Sequence, residues 1–205
     1  MSDISPQLVR ELRDKTNAGM MDCKRALAEA GGDLAKAEDL LRAKGIASAG
    51  KKASRSAKEG IVASYIHLQG KVGVLVEVNC ETDFVAKNDN FREFVKDITL
   101  HIAAANPTCV SREQVDPSEI ERERAIYRQQ VEGKPANIVE KIVEGKVDKF
   151  YGTICLMEQP FIKNPDVSIA DLVKSKITEL GENIVIRRFT RYMVGEGVTD
   201  EPAAE

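Results

Sequence analysis

The chain has 205 residues, 42% hydrophobic and 31% charged, the balance of a globular protein with a folded core and not of a disordered one. Its net charge of -3 excludes the strongly basic character of a protein held to nucleic acid mainly through phosphates. The longest apolar runs are strand-length, and the N-terminus lacks the basic, apolar and small-residue order of a secretory leader, so a cytoplasmic protein is expected.

Ser5-Pro6 reads as a cap followed by proline at the first helical position, and Leu8, Val9 and Leu12 follow at helical spacing. Asn17-Ala18-Gly19 is expected to end that helix. Asp22 is expected to cap a second helix carrying Cys23, Ala26, Leu27 and Ala30, closed by Gly31-Gly32. Asp33 opens a third, with Leu34, Ala37, Leu40 and Leu41 inward and Gly45 as its left-handed C-terminal residue. Residues 1–47 therefore read as a three-helix bundle of marginal stability on its own. Met20 and Met21 sit in the first turn, where a flexible thioether suits either core filling or an adaptable contact surface.

Residues 48–58 have the small and polar composition of a solvated linker. Lys51, Lys52, Arg55 and Lys58 make it basic, but no aromatic side chain is interleaved to stack on bases. An α+β core is expected over 59–198. Residues 59–68 and 71–79 read as antiparallel strands; Val72, Val74, Val76 and Val78 alternate with Lys71, Gly73, Leu75 and Glu77. Gln69-Gly70 between them fits a two-residue hairpin turn. Phe91, Phe94, Val95, Ile98 and Ile102 then mark one face of a helix that stops before Pro107.

Between strand and helix lies Thr82-Asp83-Phe84. The common reading makes Thr82 or Asp83 a helix N-cap and Phe84 a staple against the first turn. The alternative is an Asp-Phe wedge that projects toward a partner. Further on, Asp116-Pro117 opens a densely charged helix to residue 132, Gly133-Lys134-Pro135 turns the chain, and a second helix runs over 137–151, giving a helical hairpin at about 117–151. Phe161, Ile162 and Pro165 mark an extended crossing. Ser168 caps a helix ended by Gly181, and 184–194 form the last strand, with Arg187, Arg188 and Arg191. Residues 199–205 read as an acidic tail.

The final strand must return to the first hairpin, which predicts a three-stranded antiparallel sheet with packed helices. An uncovered face or edge of that sheet invites a second copy, so a homodimer is expected. Cys23, Cys80, Cys109 and Cys155 are scattered without a C-x-x-C pair, and are read as reduced packing residues. His67 and His101 lack partners at metal-ligand or triad spacing, and no phosphate-binding glycine motif is present. No catalytic residue, cofactor site or metal site is expected.

Residues Thr16-Asn17-Ala18-Gly19-Met20-Met21-Asp22-Cys23-Lys24, then Lys58-Glu59-Gly60, then Asn79-Cys80-Glu81-Thr82-Asp83-Phe84-Val85-Ala86-Lys87, resemble the translation elongation factor Ts family in order and spacing. Gly133-Lys134-Pro135, Gln159-Pro160-Phe161 and Gly195-Glu196-Gly197 match the same family, so the resemblance covers the whole chain. It implies a guanine-nucleotide exchange factor, not an enzyme, that binds GDP-bound and nucleotide-free elongation factor Tu. It also implies partner contact through Met20 and Met21 of the bundle and through Thr82, Asp83, Phe84 and Val85, with Asp83-Phe84 inserted near the partner's Mg²⁺ site. The chain resembles the short family members, which act as dimers, and joins the start of one core half to the end of the other around residues 106–116. The bundle alone resembles ubiquitin-associated modules. A helix- or peptide-binding module without exchange activity and an RNA-binding protein are the alternative readings.

Overall fold

The computed structural model describes residues 4–16, 18–131 and 135–197; of 46–49, 51, 136 and 137 it describes the backbone path alone. The expectations for Asn17, for Gly133-Lys134 and for the acidic tail lie outside the described residues. The chain packs as two compact units, each discontinuous in sequence: Met1–Gly60 with Asn79–Arg92 and Ala170–Val185, and Ile61–Val78 with Glu93–Ile169 and Ile186–Glu205.

In the first unit, helices α1 (Pro6–Thr16), α2 (Met20–Glu29) and α3 (Leu34–Lys52) enclose Val9, Leu12, Ala18, Cys23, Ala26, Leu27, Ala37 and Leu41. The helical spacing marks all of these but Ala18 as inward, and it marks Leu8, Ala30, Leu34 and Leu40 too, which pack against this core only partly buried. Two local expectations need correction. Gly19, not Asp22, is the N-cap of α2; Asp22 lies inside the first turn and pairs with Arg25. The helix expected to stop at Gly45 continues to Lys52, so the segment read as a linker begins as helix. Gly45 serves close approach instead: a Cβ there would stand 3.2 Å from the Thr178 side chain, whose hydroxyl donates to the Gly45 carbonyl at 3.2 Å. Thr178 belongs to α8 (Ile169–Leu180), the helix that precedes Gly181.

The second unit is built on a three-stranded antiparallel sheet in the order β1 (Glu59–His67), β2 (Val72–Cys80), β5 (Val185–Met193). Val72, Val74, Val76 and Val78 are all buried, as their alternation predicts, whereas Leu75 on the opposite face is exposed. Val62, Ile66 and Tyr192 are exposed too, and Ile66 lies over Gly73, 3.4 Å from where a Cβ would be. The β1–β2 connection is longer than a two-residue turn: Leu68, Gln69 and Gly70 all take positive φ, at 49°, 55° and 95°. Only the last is a glycine, so composition understated how far the backbone stays left-handed.

Helix α5 (Asp89–Ala105) buries Phe94, Val95, Ile98 and Ile102 and stops before Pro107. The helical hairpin of α6 (Pro117–Gln130) and α7 (Ala136–Ile154) closes over Ile120, Val131, Val143 and Val147, with Arg128–Glu140 and Arg124–Glu144 ion pairs along its surface. The Asp116 carboxylate caps α6 by accepting from the Ser118 N–H at 2.8 Å. The extended crossing is a small second sheet, β3 (Pro160–Phe161) paired antiparallel with β4 (Asn164–Ser168). All four cysteines are free; spacing gave no sign that Cys109 and Cys155 lie with sulfurs 3.5 Å apart. Among the described residues, no helix is long and apolar enough to cross a membrane.

Candidate functional site

The clearest candidate surface lies in the first unit, where β2 ends at Cys80 and the four-residue helix α4 (Asp83–Ala86) begins. Thr82 is the N-cap of α4, in extended backbone, and its hydroxyl accepts from the Val85 N–H at 3.3 Å. The capping part of the common reading therefore holds for Thr82. The staple part does not, because Phe84 is 78% exposed while the following Val85 and Ala86 are buried. A bare phenylalanine of this kind has apolar surface to gain from any partner that covers it.

Glu182, two residues past α8, fixes the approach to this helix. Its Oε2 accepts from the backbone N–H of Glu81 and of Thr82, each at 3.0 Å, and its Oε1 accepts from the Thr82 hydroxyl at 2.6 Å. The Glu81 carboxylate in turn accepts from the Asn183 N–H at 2.7 Å and has the Arg55 guanidinium 3.6 Å away. The Asn183 side-chain amide donates to the carbonyls of Ala53 and Arg55, at 3.2 and 2.8 Å. Both charged acceptors are thus satisfied by several donors, the condition for a firm polar network.

The electrostatics of the turn are local. Asp83 receives a hydrogen bond from the Lys87 ammonium at 2.7 Å, one helical turn on, and that bond holds its carboxyl below the usual range. Cys80 donates to the Thr82 carbonyl at 3.1 Å. Burial, then the nearby Glu182 charge, pushes its thiol up to about 11, so it stays protonated and is a poor nucleophile. Among the described residues no three His, Cys, Asp or Glu side chains gather as a metal site.

Met20 and Met21 open α2 in the same unit, and both are exposed, at 58% and 66%. No side-chain hydrogen bond caps this helix, whose buried face is formed by Cys23, Ala26 and Leu27. The structure thus gives exposed surface to Met20, Met21, Thr82, Asp83 and Phe84, and places Val85 in the interior. Glu81, Glu182 and Asn183 were missed by sequence reasoning. Their contacts join residues about a hundred positions apart, and an acid after a helix-ending glycine has no pattern of its own.

A sequence profile described as Elongation factor TS matches residues 48–196, well over half of the chain. A protein named elongation factor Ts from Alkaliphilus oremlandii is 60% identical over 96% of this chain and 91% of its own length. Its counterpart from Carboxydothermus hydrogenoformans is 59% identical over 95% and 91%, and that from Desulforamulus reducens 55% identical over 100% and 97%. Identity at this level over nearly the full length leaves one placement: the chain belongs to the elongation factor Ts family.

Proposed function

We propose that the chain is a guanine-nucleotide exchange factor of translation elongation, acting in the cytoplasm on elongation factor Tu in its GDP-bound and nucleotide-free forms. The observation that carries the reading is the exposed Phe84 on a turn already fixed by hydrogen bonds. A tightly held GDP leaves faster when a second protein binds best to the state in which Mg²⁺ and phosphate contacts are broken. Such coupling is reciprocal, since GDP weakens the factor as much as the factor weakens GDP. No covalent step is needed.

In this reading Phe84 is the wedge. A phenylalanine that buries about 150–250 Å² in a partner pocket contributes a few kcal/mol. Asp83 brings a carboxylate toward the partner's Mg²⁺ site, for which it must part from Lys87. Thr82 and Val85 hold the wedge, the first as cap and the second as buried anchor. Met20 and Met21 of the bundle supply an adaptable grip, since an unbranched thioether repacks readily.

The same reading includes a homodimer. The exposed face of the sheet carries Val62, Ile66, Leu75 and Tyr192, and a second copy of the chain would cover it. Sedimentation of the pure chain at micromolar concentration is expected to give a dimer, and a monomer there would remove this part. The exchange reading is tested by release of a fluorescent GDP from elongation factor Tu. The wild-type chain accelerates release, and Asp83→Ala and Phe84→Ala lose most of the acceleration while remaining folded. A folded Phe84→Ala chain with full activity would overturn the wedge.

A further inference from the structure

The carboxylate of Glu182 holds the two residues that precede the exposed tip. Through Oε2 it fixes the peptide N–H groups of Glu81 and Thr82, and through Oε1 the hydroxyl of Thr82, which then caps α4. A four-residue helix is too short to hold its own direction, so the direction must come from outside it. The contact is doubled from the other side, because Glu81 receives the Asn183 N–H and Asn183 is tied to Ala53 and Arg55.

We propose that Glu182 is a positioning residue for nucleotide release, setting the direction in which Phe84 is presented while acting only through Glu81 and Thr82. The inference rests on the reading of Phe84 as the partner contact. A ring already aimed at its pocket loses little freedom on docking, and one on a loosened turn must be ordered first. The loss therefore falls on the step in which Phe84 engages, and the grip of Met20 and Met21 is left in place.

The test follows GDP release from elongation factor Tu with the wild-type chain, Glu182→Ala, Glu182→Gln, Phe84→Ala and the Glu182→Ala/Phe84→Ala double variant. Amide hydrogen exchange over residues 81–85 is measured on the same proteins. Glu182→Ala is expected to lower the maximal release rate on the order of tenfold, with the half-saturating concentration moving less than about twofold. The Glu81 and Thr82 amides lose protection, and Glu182→Gln, which keeps one acceptor oxygen, falls between wild type and Glu182→Ala in both readouts. The double variant is no slower than Phe84→Ala, because both changes act through one ring. Should Glu182→Ala fail to fold, the same comparison made with Glu182→Gln decides. Wild-type release from a Glu182 variant whose 81–82 amides have opened overturns the proposal, as does a double variant slower than Phe84→Ala by the full Glu182 factor. Full release by Phe84→Ala marks failure of the wedge reading instead, and the role of Glu182 in exchange falls with it even where amide protection still depends on the carboxylate.

Discussion

Two short segments of this chain are each held by a side chain from a distant stretch of sequence, yet one exposes a phenylalanine and the other buries one. In the first unit the Glu182 carboxylate holds Glu81 and Thr82, and Phe84 stands 78% exposed. In the second unit His101 holds residues 159–162: its Nδ1 accepts from the Ile162 N–H at 3.3 Å, so its Nε2 carries the proton and donates to Gln159 Oε1 at 2.9 Å. Gln159 passes the bond on to the Thr153 carbonyl at 2.6 Å, and Phe161 is 6% exposed. The choice of pin follows the surroundings. A charged acceptor suits a partly hydrated turn, whereas His101 is fully enclosed, where an unpaired charge would be costly, and it is held neutral. One device thus builds core in one place and presents surface in the other.

The comparison is broken most directly by truncating each ring. Phe161→Ala is expected to cost roughly 3–5 kcal/mol of stability in urea unfolding, and Phe84→Ala less than about 0.5 kcal/mol. Equal losses would mean that Phe84 is packed after all. A smaller effect separates the pins by pH. Burial lowers the His101 pKa from its ordinary 6.5, so the unfolded chain binds the extra proton first. The stability contribution of His101 is therefore full above pH 6.5 and falls as acid is added down to the lowered folded value. Urea midpoints recorded downward from pH 7 should show that decline, and a His101→Gln chain, less stable at the start, should show a shallower one. The smallest effect lies at the exposed tip. Lys87→Ala should leave the melting temperature almost unchanged while the Asp83 carboxyl, followed by NMR, titrates at higher pH once its hydrogen bond is gone.

Much of the scaffold was legible because it follows one-dimensional periods. The alternating valines of β2 and the apolar steps of α5 and α8 lie where the spacing puts them. The misreadings arise where a residue answers to a distant neighbour. Gly45 looked like a helix terminator and is a contact glycine against Thr178; Asp22 looked like a cap and pairs with Arg25. At the site, the sequence left open whether Phe84 was staple or wedge, since both begin with the same cap. Its exposure goes with the burial of the next two residues, Val85 and Ala86, and with the hold of Glu182 on the backbone before it, neither of which has a local signature.

The close approach at Gly45 has a consequence for avidity. Because α3 touches α8 there, the bundle bearing Met20 and Met21 and the turn bearing Phe84 are parts of one folded unit, not beads on a slack tether. For a partner that engages both, the second docking is intramolecular, at an effective concentration set by a fixed span and not by linker statistics. Two weak grips of this kind act as one strong one only on a partner whose own two sites match that span, so geometry itself becomes a filter on partner choice.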